Sequence, residues 1–255
     1  MRAGTRRGVA LMLVLWLVVV LGAVSAGVVR ATRSSVAIAG NSRAGLVARA
    51  AAESGIEAAV AAIEDTLAGL AGSADRRAWL NSVAARVGGD AMALGGARFA
   101  VTVVDVSARL DVNAATEAAL RTFFSQFTDP PRAATIARSI RSRIEPQPGD
   151  SPAGLLAAAT FRSLESLRTE GIVPADVLGR AAPYLTVDGD GSINQVTAPD
   201  TVRVAAAGEL RDEPGRLLIV SRGWVSGHPL TCEIQAVYSI AGNRLVFSHW
   251  RERTL

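Results

Sequence analysis

One uninterrupted apolar segment constrains this chain more than any other feature. Residues 9–29 read VALMLVLWLVVVLGAVSAGVV and contain no charged side chain. A helix of about 20 residues rises about 30 Å, which is the thickness of the hydrocarbon layer of a bilayer. A soluble helix of this length needs a polar face, and this segment has none. The segment therefore predicts insertion into a membrane.

Three interpretations of this N-terminus are open. The segment is a plain signal anchor, or it is a secretory signal cut after the small residues 24–26 (VSA), before Gly27. In the third interpretation, residues 1–8 (MRAGTRRG) form a prepilin-type leader. Cleavage then falls between Gly8 and Val9, and the apolar segment is retained. Arginines follow the segment as well as precede it, so charge asymmetry does not choose among the three.

The sequence after the apolar segment favours a continued helix. It contains no proline up to residue 70, and it is rich in alanine. Spacings of three and four predict a buried stripe formed by Val36, Ala39, Leu46, Ala50, Ile56, Val60, Ile63 and Leu67. The whole helix would be roughly 55–60 residues and about 85 Å long, with Gly40, Gly45 and Gly55 as points where it bends or breaks. A cleaved signal peptide needs no such continuation, whereas a filament subunit does.

The remaining chain predicts a sheet interrupted by helices. Residues 97–107 alternate as a half-buried strand after Gly95 and Gly96, which we expect to close the first helical region. Trp79 and Leu80 belong to a short helix before it. Three alternating runs follow residue 215, with turns at residues 227–229 and 242–243, and predict an antiparallel meander.

The middle of the chain predicts mainly helices. One helix follows a cap at Asn113 or Thr116, and a basic helix spans residues 130–144. Residues 145–154 form a loop, and residues 161–187 form two short helices and an exit strand. LDVNAATEAAL (110–120) resembles INQVTAPDTVR (193–203), which we interpret as a repeated local motif and not as a duplicated domain.

Composition argues against nucleic-acid binding and against catalysis. All 27 basic residues are arginines. Without the three in residues 1–8, 24 basic residues remain against 23 acidic residues, so the net charge is close to zero. The basic helix carries no interleaved aromatic residues for stacking on bases. The single cysteine, Cys232, is expected to be a buried small side chain, and His228 lies across a turn from it. No hydrolase, zinc-protease or phosphate-loop motif is present, so we expect no enzyme.

Several segments, taken in order, resemble the K-type minor pseudopilins of the type II secretion system (the general secretion pathway protein K family). The segments are RRG before VALMLVLWLVV, AAESGIEAAVAAI, RLDVNAATEAAL, FRSLESLRTEGIVPADVLGRAAPYLTV, GSINQVTAP and the closing FSHWRE. They extend along nearly the whole chain. One departure is Val196, where the family tends to have asparagine. The Pro/Gly-rich residues 145–160 also suggest a trimmed insert.

The resemblance implies an α+β fold. A pilin-like N-terminal helix, with a transmembrane half and an amphipathic half, packs on an antiparallel sheet that carries an inserted helical domain. The implied parts are a leader (1–8), a transmembrane helix (9–29), its amphipathic continuation (30–70), the start of the head (71–108), the insert (109–205) and the C-terminal β-meander (206–255).

The resemblance also implies a function in assembly. Prepilin peptidase would cut between Gly8 and Val9, often with methylation of the new amine. The protein would sit in the inner membrane with a periplasmic head, and would join the I- and J-type minor pseudopilins at the pseudopilus tip. Leu13 stands at the fifth mature position, where most pilin-like subunits carry glutamate. The alternatives are a minor pilin of a type IV pilus, or a secreted or anchored binding protein with an ordinary signal sequence.

The resemblance raises the question of a metal, since members of the family bind calcium in the head. The loop TVDGDGSIN (186–194) would offer Asp188 and Asp190 as weak candidate ligands. Thr186 occupies the first ligand position and Thr197 the twelfth, where a bidentate glutamate is needed. We therefore expect a simple Asp-Gly turn and no cofactor.

Overall fold

The fold comes from a computed structural model, which describes residues 4–84, 89–145, 160–206 and 210–255. It combines one long N-terminal helix, a five-stranded antiparallel sheet, and a helical region between two strands of that sheet. The predicted α+β class, a long pilin-like helix packed on an antiparallel sheet, is confirmed.

Helix α1 spans Gly4–Gly69 and contains 66 residues, which corresponds to a length of about 100 Å. It continues through Gly40, Gly45 and Gly55, so the expected break at these glycines does not occur. Residues 1–3 of the predicted leader lie outside the described residues. The apolar segment and the alanine-rich segment are thus parts of one helix.

No described part of the chain covers residues 12–28 of α1. Its large apolar side chains from Met12 to Val28 are exposed almost without exception. This stretch is long and apolar enough to cross a membrane. Exposure of this apolar surface to water is unfavourable, whereas contact with lipid is not.

The second half of α1 packs on the sheet through very small side chains. Ala48 and Ala52 are buried where the helix crosses Gly223 of the sheet. A Cβ atom on Gly223 would lie 2.5 Å from the Ala52 backbone nitrogen and would also overlap the Ala48 carbonyl oxygen. Helix and sheet backbones therefore approach too closely for any side chain at this strand position.

The predicted stripe is wrong for its first half. Val36 and Leu46 are exposed, whereas Ile63 and Leu67 are buried as expected. The prediction relied on large apolar residues. Where α1 crosses the sheet, however, the two backbones are so close that only alanine and glycine fit between them. Residues 36–43 are exposed on every side, and from residue 44 onward the buried face carries Ala44, Ala48 and Ala51 instead of Leu46 and Ala50.

The sheet contains β1 (Met92–Leu94), β2 (Ala97–Asp105), β7 (Arg216–Val225), β8 (Thr231–Ala241) and β9 (Arg244–Thr254), in that spatial order. The last three strands are the predicted meander. Gly227 and Gly242, with φ of 79° and 60°, make its turns, which is the left-handed conformation that glycine adopts readily.

The start of the head differs from the prediction in one respect. The first helical region closes earlier, at α2 (Ser73–Ala84), and not at Gly95 and Gly96. These two glycines form the turn of the β1–β2 hairpin, in which Leu94 pairs with Ala97. The sequence signal for β1 is weak because the strand has only three residues, all exposed.

Helix α1 and the sheet share one hydrophobic core. Its buried members are Ala48, Ala52, Ile56, Ile63, Leu67, Leu80, Leu217, Ile219, Cys232, Ile234, Ala236 and Leu245. Leu80 comes from α2, which therefore packs against the same core, as predicted. Burial of such side chains contributes roughly 1.5–3 kcal/mol each for the larger ones.

The chain between β2 and β7 forms a second core. Its helices are α3 (Glu117–Phe124), α4 (Pro130–Ile144), α5 (Glu165–Thr169), α6 (Ala175–Ala181) and α7 (Asp200–Ala205). Two parallel pairs of short strands join them, β3 (Leu110–Asp111) with β4 (Leu185–Thr186), and β5 (Ile193–Asn194) with β6 (Leu210–Arg211). Most of the predicted loop 145–154 lies outside the described residues.

The repeated local motif has the same geometry in both copies. In each copy a two-residue strand leads through a turn into a helix, at Asp111 and at Asn194. The Asp111 side chain accepts a hydrogen bond from the Asn113 backbone N–H, and the Asn194 side chain accepts one from the Val196 N–H. Thr116 caps α3, through its hydroxyl and the Ala119 N–H.

The close approach at Gly223 generates a stability prediction. We expect Gly223→Ala to lower the free energy of unfolding by about 1–3 kcal/mol or more, because backbone atoms and not flexible side chains obstruct the added methyl group. Gly45→Ala is the matched control, since its Cβ would meet nothing within 4 Å. It should leave stability unchanged or raise it slightly.

Thermal unfolding of the detergent-solubilised chain, followed by circular dichroism, measures both variants. Equal melting temperatures for Gly223→Ala and the unmodified chain would contradict the helix–sheet packing described above.

Candidate functional site

The exposed half of α1 carries the predicted processing and assembly positions. Gly8 and Val9 both lie within α1. Leu13 is 63% exposed, with no part of the described chain covering it. The position where most pilin-like subunits carry glutamate is therefore one of many apolar residues on an uncovered helix surface.

Large apolar residues stay exposed beyond the predicted transmembrane segment. Val36, Ile38 and Leu46 are 66%, 63% and 69% exposed. They follow residue 29 by about two to five helical turns, so a bilayer around residues 9–29 would not cover all of them. These side chains lie on more than one side of the helix, so this part of α1 offers apolar contacts to partner helices from more than one direction.

The edge strand β9 presents a second exposed apolar surface. Val246, Phe247 and Trp250 are 52%, 54% and 44% exposed. The guanidinium of Arg49 lies over the Trp250 ring, 5.6 Å from its centre. The sequence analysis interpreted this run only as the end of the meander. Adjacent large apolar residues in a final strand were the signal that could have identified an uncovered edge.

A buried carboxylate joins the insert to the head. Asp105, at the end of β2, is 3% exposed. Its Oδ2 accepts hydrogen bonds from Asn194 Nδ2 at 2.7 Å and from Thr197 Oγ1 at 2.6 Å. The same Asn194 amide donates to Asn81 Oδ1 of α2 at 2.8 Å. The INQVTAP motif therefore fastens the insert to two elements of the head.

The Asp105 carboxyl is held in a low-dielectric setting. Burial raises its pKa above the usual value, and the hydrogen bonds from Thr197 and Asn194 act in the opposite direction. Hydrogen bonds to a carboxylate stabilise its charged form, while loss of water disfavours it. The donors thus offset part of the cost of burying this charge.

Asp188 forms a second junction, with β7 and β9. Its side chain is 8% exposed and accepts from His249 Nε2 at 3.0 Å and from Arg251 Nη2. Arg216 Nη1 donates to the carbonyl oxygens of Asp188 and Gly189, at 3.0 and 2.6 Å. The loop is therefore bound to the sheet by one carboxylate and two arginines.

The candidate calcium ligands do not gather into a metal site. Asp190 accepts from the Ser192 hydroxyl at 2.6 Å and lies 3.7 Å from Arg211. Asp188 already contacts a guanidinium, and the Thr197 hydroxyl bonds to Asp105. Within the described residues no three His, Cys, Asp or Glu side chains come together. This donor set does not fit a calcium ion, which needs six to eight oxygen ligands.

The basic helix α4 is balanced by acidic side chains. Arg143 pairs with Glu170 at 2.9 Å, and Arg132 lies 4.0 Å from Asp176. Arg141 pairs with Glu145 and also donates to two backbone carbonyl oxygens in the turn that precedes α3. Three of the four arginines of this helix therefore have an acidic partner within the insert.

Cys232 has the environment of a structural thiol. It is buried in the helix–sheet core, and its Sγ lies 3.7 Å from Glu252 Oε1. Burial and the nearby carboxylate raise its pKa to about 11. A thiol with such a pKa is protonated near pH 7 and is a poor nucleophile.

Comparison with known proteins shows the fold. No family model matches the chain, and no curated protein matches it. One similar structure is a chain in the crystal structure of the GspK-GspI-GspJ complex from the enterotoxigenic Escherichia coli type 2 secretion system. The two chains are 14% identical with a TM-score of 0.50, and the match covers 64% of this chain and 82% of that chain. The chain therefore has the fold of a type II secretion pseudopilin.

The Asp105 junction generates a pH-dependent prediction. Thr197→Val removes a donor to a buried carboxylate, so we expect a loss of about 2 kcal/mol at pH 8. The lost bond favours the charged form, so the pKa of Asp105 rises further in the variant. The loss should therefore be fully present above the folded pKa that Asp105 has in the variant. It should shrink as the pH falls from that pKa to the lower pKa of Asp105 in the unmodified protein.

Thr201→Val is the matched control, because the Thr201 hydroxyl donates no hydrogen bond to any residue that the structure describes. Denaturant unfolding of the three proteins at pH 8 and pH 4 measures the difference. A loss for Thr197→Val that does not change with pH would contradict the assigned role of Asp105.

For the loop at Asp188 we propose an Asp-Gly turn held by arginines, and no calcium ion. Calorimetric titration of the protein with calcium should then show no binding heat and no change in melting temperature. Saturable heat that disappears in Asp188→Asn would overturn this proposal.

Proposed function

We propose that the protein is a minor pseudopilin of the type II secretion system, of the K type, which promotes pseudopilus assembly for protein export across the outer membrane. The observation that carries this proposal is the single helix α1. Its exposed apolar half continues without a break into a half that is seated on a pilin-like sheet. The protein would act by associating with other subunits through its membrane helix and its head, and it would catalyse no reaction.

Retention of the apolar half is central to the proposal. RRG immediately precedes the segment, as cleavage by prepilin peptidase between Gly8 and Val9 requires. The segment would hold the protein in the inner membrane with its head in the periplasm. A K-type subunit would then carry a methylated amine on Val9.

A tip position is favoured by Leu13. In most pilin-like subunits a glutamate at this position is thought to pair with the N-terminal amine of a neighbouring subunit in the membrane. A carboxylate without such a partner costs several kcal/mol in hydrocarbon. A first subunit has no predecessor to supply that amine, so an apolar residue suits it.

The I- and J-type minor pseudopilins are the proposed partners. Val36, Ile38 and Leu46 are exposed on α1 beyond the proposed bilayer, where neighbouring subunit helices would cover them. Close packing of such surfaces is what drives helix association next to and within a membrane.

Co-purification tests the assignment. We expect the full chain, expressed with the I- and J-type minor pseudopilins of its own organism, to purify with them as one complex in mild detergent. Leu46→Gln should reduce the recovered partners severalfold, because it places a polar side chain in the apolar contact. Asn41→Gln, on an exposed and polar position of α1, is the matched control.

A minor pilin of a type IV pilus would instead co-purify with pilins of that system. A secreted or anchored binding protein would recover neither set, and either result would reject the K-type assignment.

The tip position has a test of its own. We expect Leu13→Glu to impair secretion as strongly as Leu15→Glu, since each places an unpaired carboxylate in the bilayer at a cost of about 3 kcal/mol. Secretion of a reporter substrate by a strain that carries each variant measures this. If Leu13→Glu is tolerated and Leu15→Glu is not, a neighbouring amine pairs with the new carboxylate and the subunit lies within the filament.

A further inference from the structure

A cavity of about 260 Å³ lies between the insert and the face of the sheet opposite α1. The insert contributes Arg109, Glu165 and Asp188 to its wall, and the head contributes Gln235, Arg251 and Arg253. None of these groups belongs to the helix surfaces discussed above. The cavity is polar, and its position makes it independent of membrane insertion.

Arg109 is the arginine of this wall that is partly buried and forms no ion pair with any described residue. It is half-buried, and its guanidinium donates no hydrogen bond to any residue that the structure describes. Asp105 and Asp188 attract it, but burial is the larger influence and lowers its pKa. Asp105 offers no free oxygen, because its two oxygens accept from Ser107, Asn194 and Thr197.

The other charges of the wall leave the balance positive. Arg251 donates to the Arg162 carbonyl at 2.9 Å and to Asp188, while its Nε is buried without a partner among the described residues. Arg253 also lines the cavity; it is exposed, forms no ion pair within the described chain, and is attracted by the Glu233 carboxylate on the neighbouring strand. The two acidic groups are already occupied, Asp188 by Arg251 and Glu165 by Arg168.

An excess of guanidinium groups in a partly desolvated cavity is costly unless an anion completes it. Guanidinium presents two parallel N–H groups that match the two oxygens of a carboxylate. The cavity volume lies just below that of typical small-molecule sites, which span roughly 300–1,000 Å³. It therefore suits a group no larger than a side-chain carboxylate or a small free acid.

We propose that this cavity is a carboxylate-binding site in which Arg109 binds the anion, and Arg251 and Arg253 supply further positive charge. The carboxylate comes either from an acidic side chain of a partner protein or from a small free acid. Both have the same recognition chemistry, so the experiment separates them.

The test uses the full chain in non-ionic detergent at constant ionic strength. Its melting temperature is measured with glutamate blocked at both backbone ends, with succinate, and with equally blocked glutamine, which has the same shape and no charge. A near-saturating carboxylate should raise the melting temperature by about 3 °C, and blocked glutamine should not. Arg109→Gln should lose this rise.

Arg121→Gln is the matched control, because Arg121 is an exposed arginine on α3 that does not line the cavity. If Arg109→Gln does not fold, Arg109→Lys keeps the charge but not the paired N–H groups, and should lose most of the rise.

Each outcome decides the proposal. A rise with blocked glutamate supports a partner's side chain, and a rise with succinate alone supports a free dicarboxylate. Absence of a rise with either acid overturns the site. An equal rise with blocked glutamine, or a rise that persists in the Arg109 variants, overturns it as well.

Discussion

The contact between α1 and strand β7 is the interaction on which the rest of the structure depends. Gly223 lets the backbones of the two elements meet. One turn later, Gly55 of the helix leaves room for side chains of the sheet, since its Cβ would lie 2.8 Å from Phe99 Cδ2 and would overlap the Ser221 hydroxyl. Dispersion contacts are strongest when surfaces are this close, even though each atom pair contributes only about 0.1–0.2 kcal/mol. The head is thereby held at a fixed place along a helix whose other half is free to enter a membrane.

Polar contacts then fix the insert against that helix–sheet unit. Asp105 joins β2 to the INQVTAP turn. Asp188 joins the loop 186–194 to β7 and β9. Buried charges of this kind are a poor source of net stability, because desolvation opposes their attraction. They restrict the arrangement instead, since a shifted insert would leave each carboxylate without its donors. The proposed carboxylate site lies between these two junctions, where the positive charge is in excess.

Much of the fold could be predicted because its signals are local. The turn glycines Gly227 and Gly242 and the alternation of the last three strands define the meander, and α4 spans residues 130–144 as expected. The side-chain cap at Thr116 is likewise set by residues three positions apart.

The missed features depend on partners that are distant in the sequence. Asp188 meets His249 and Arg251 across more than 60 positions, and Asp105 meets Thr197 across 92. No pattern within one segment reveals such pairs, so the sequence indicates an Asp-Gly turn in the loop 186–194 but not its contacts with the sheet. The alanine-rich part of the buried face of α1 could not be predicted for a related reason. Gly223, whose close approach favours alanine there, belongs to a strand that is distant in the sequence.

The proposed function requires that α1 keep its apolar half from Val9 onward, so that this half anchors the protein while the alanine-rich half binds the head. The mature N-terminus of the protein, purified from its own host and determined by terminal sequencing and intact mass, tests this account most directly. The account predicts that the mature chain begins at Val9, with a methylated amine. A mature chain that begins at Gly27 would show that the apolar segment is removed, and would contradict it.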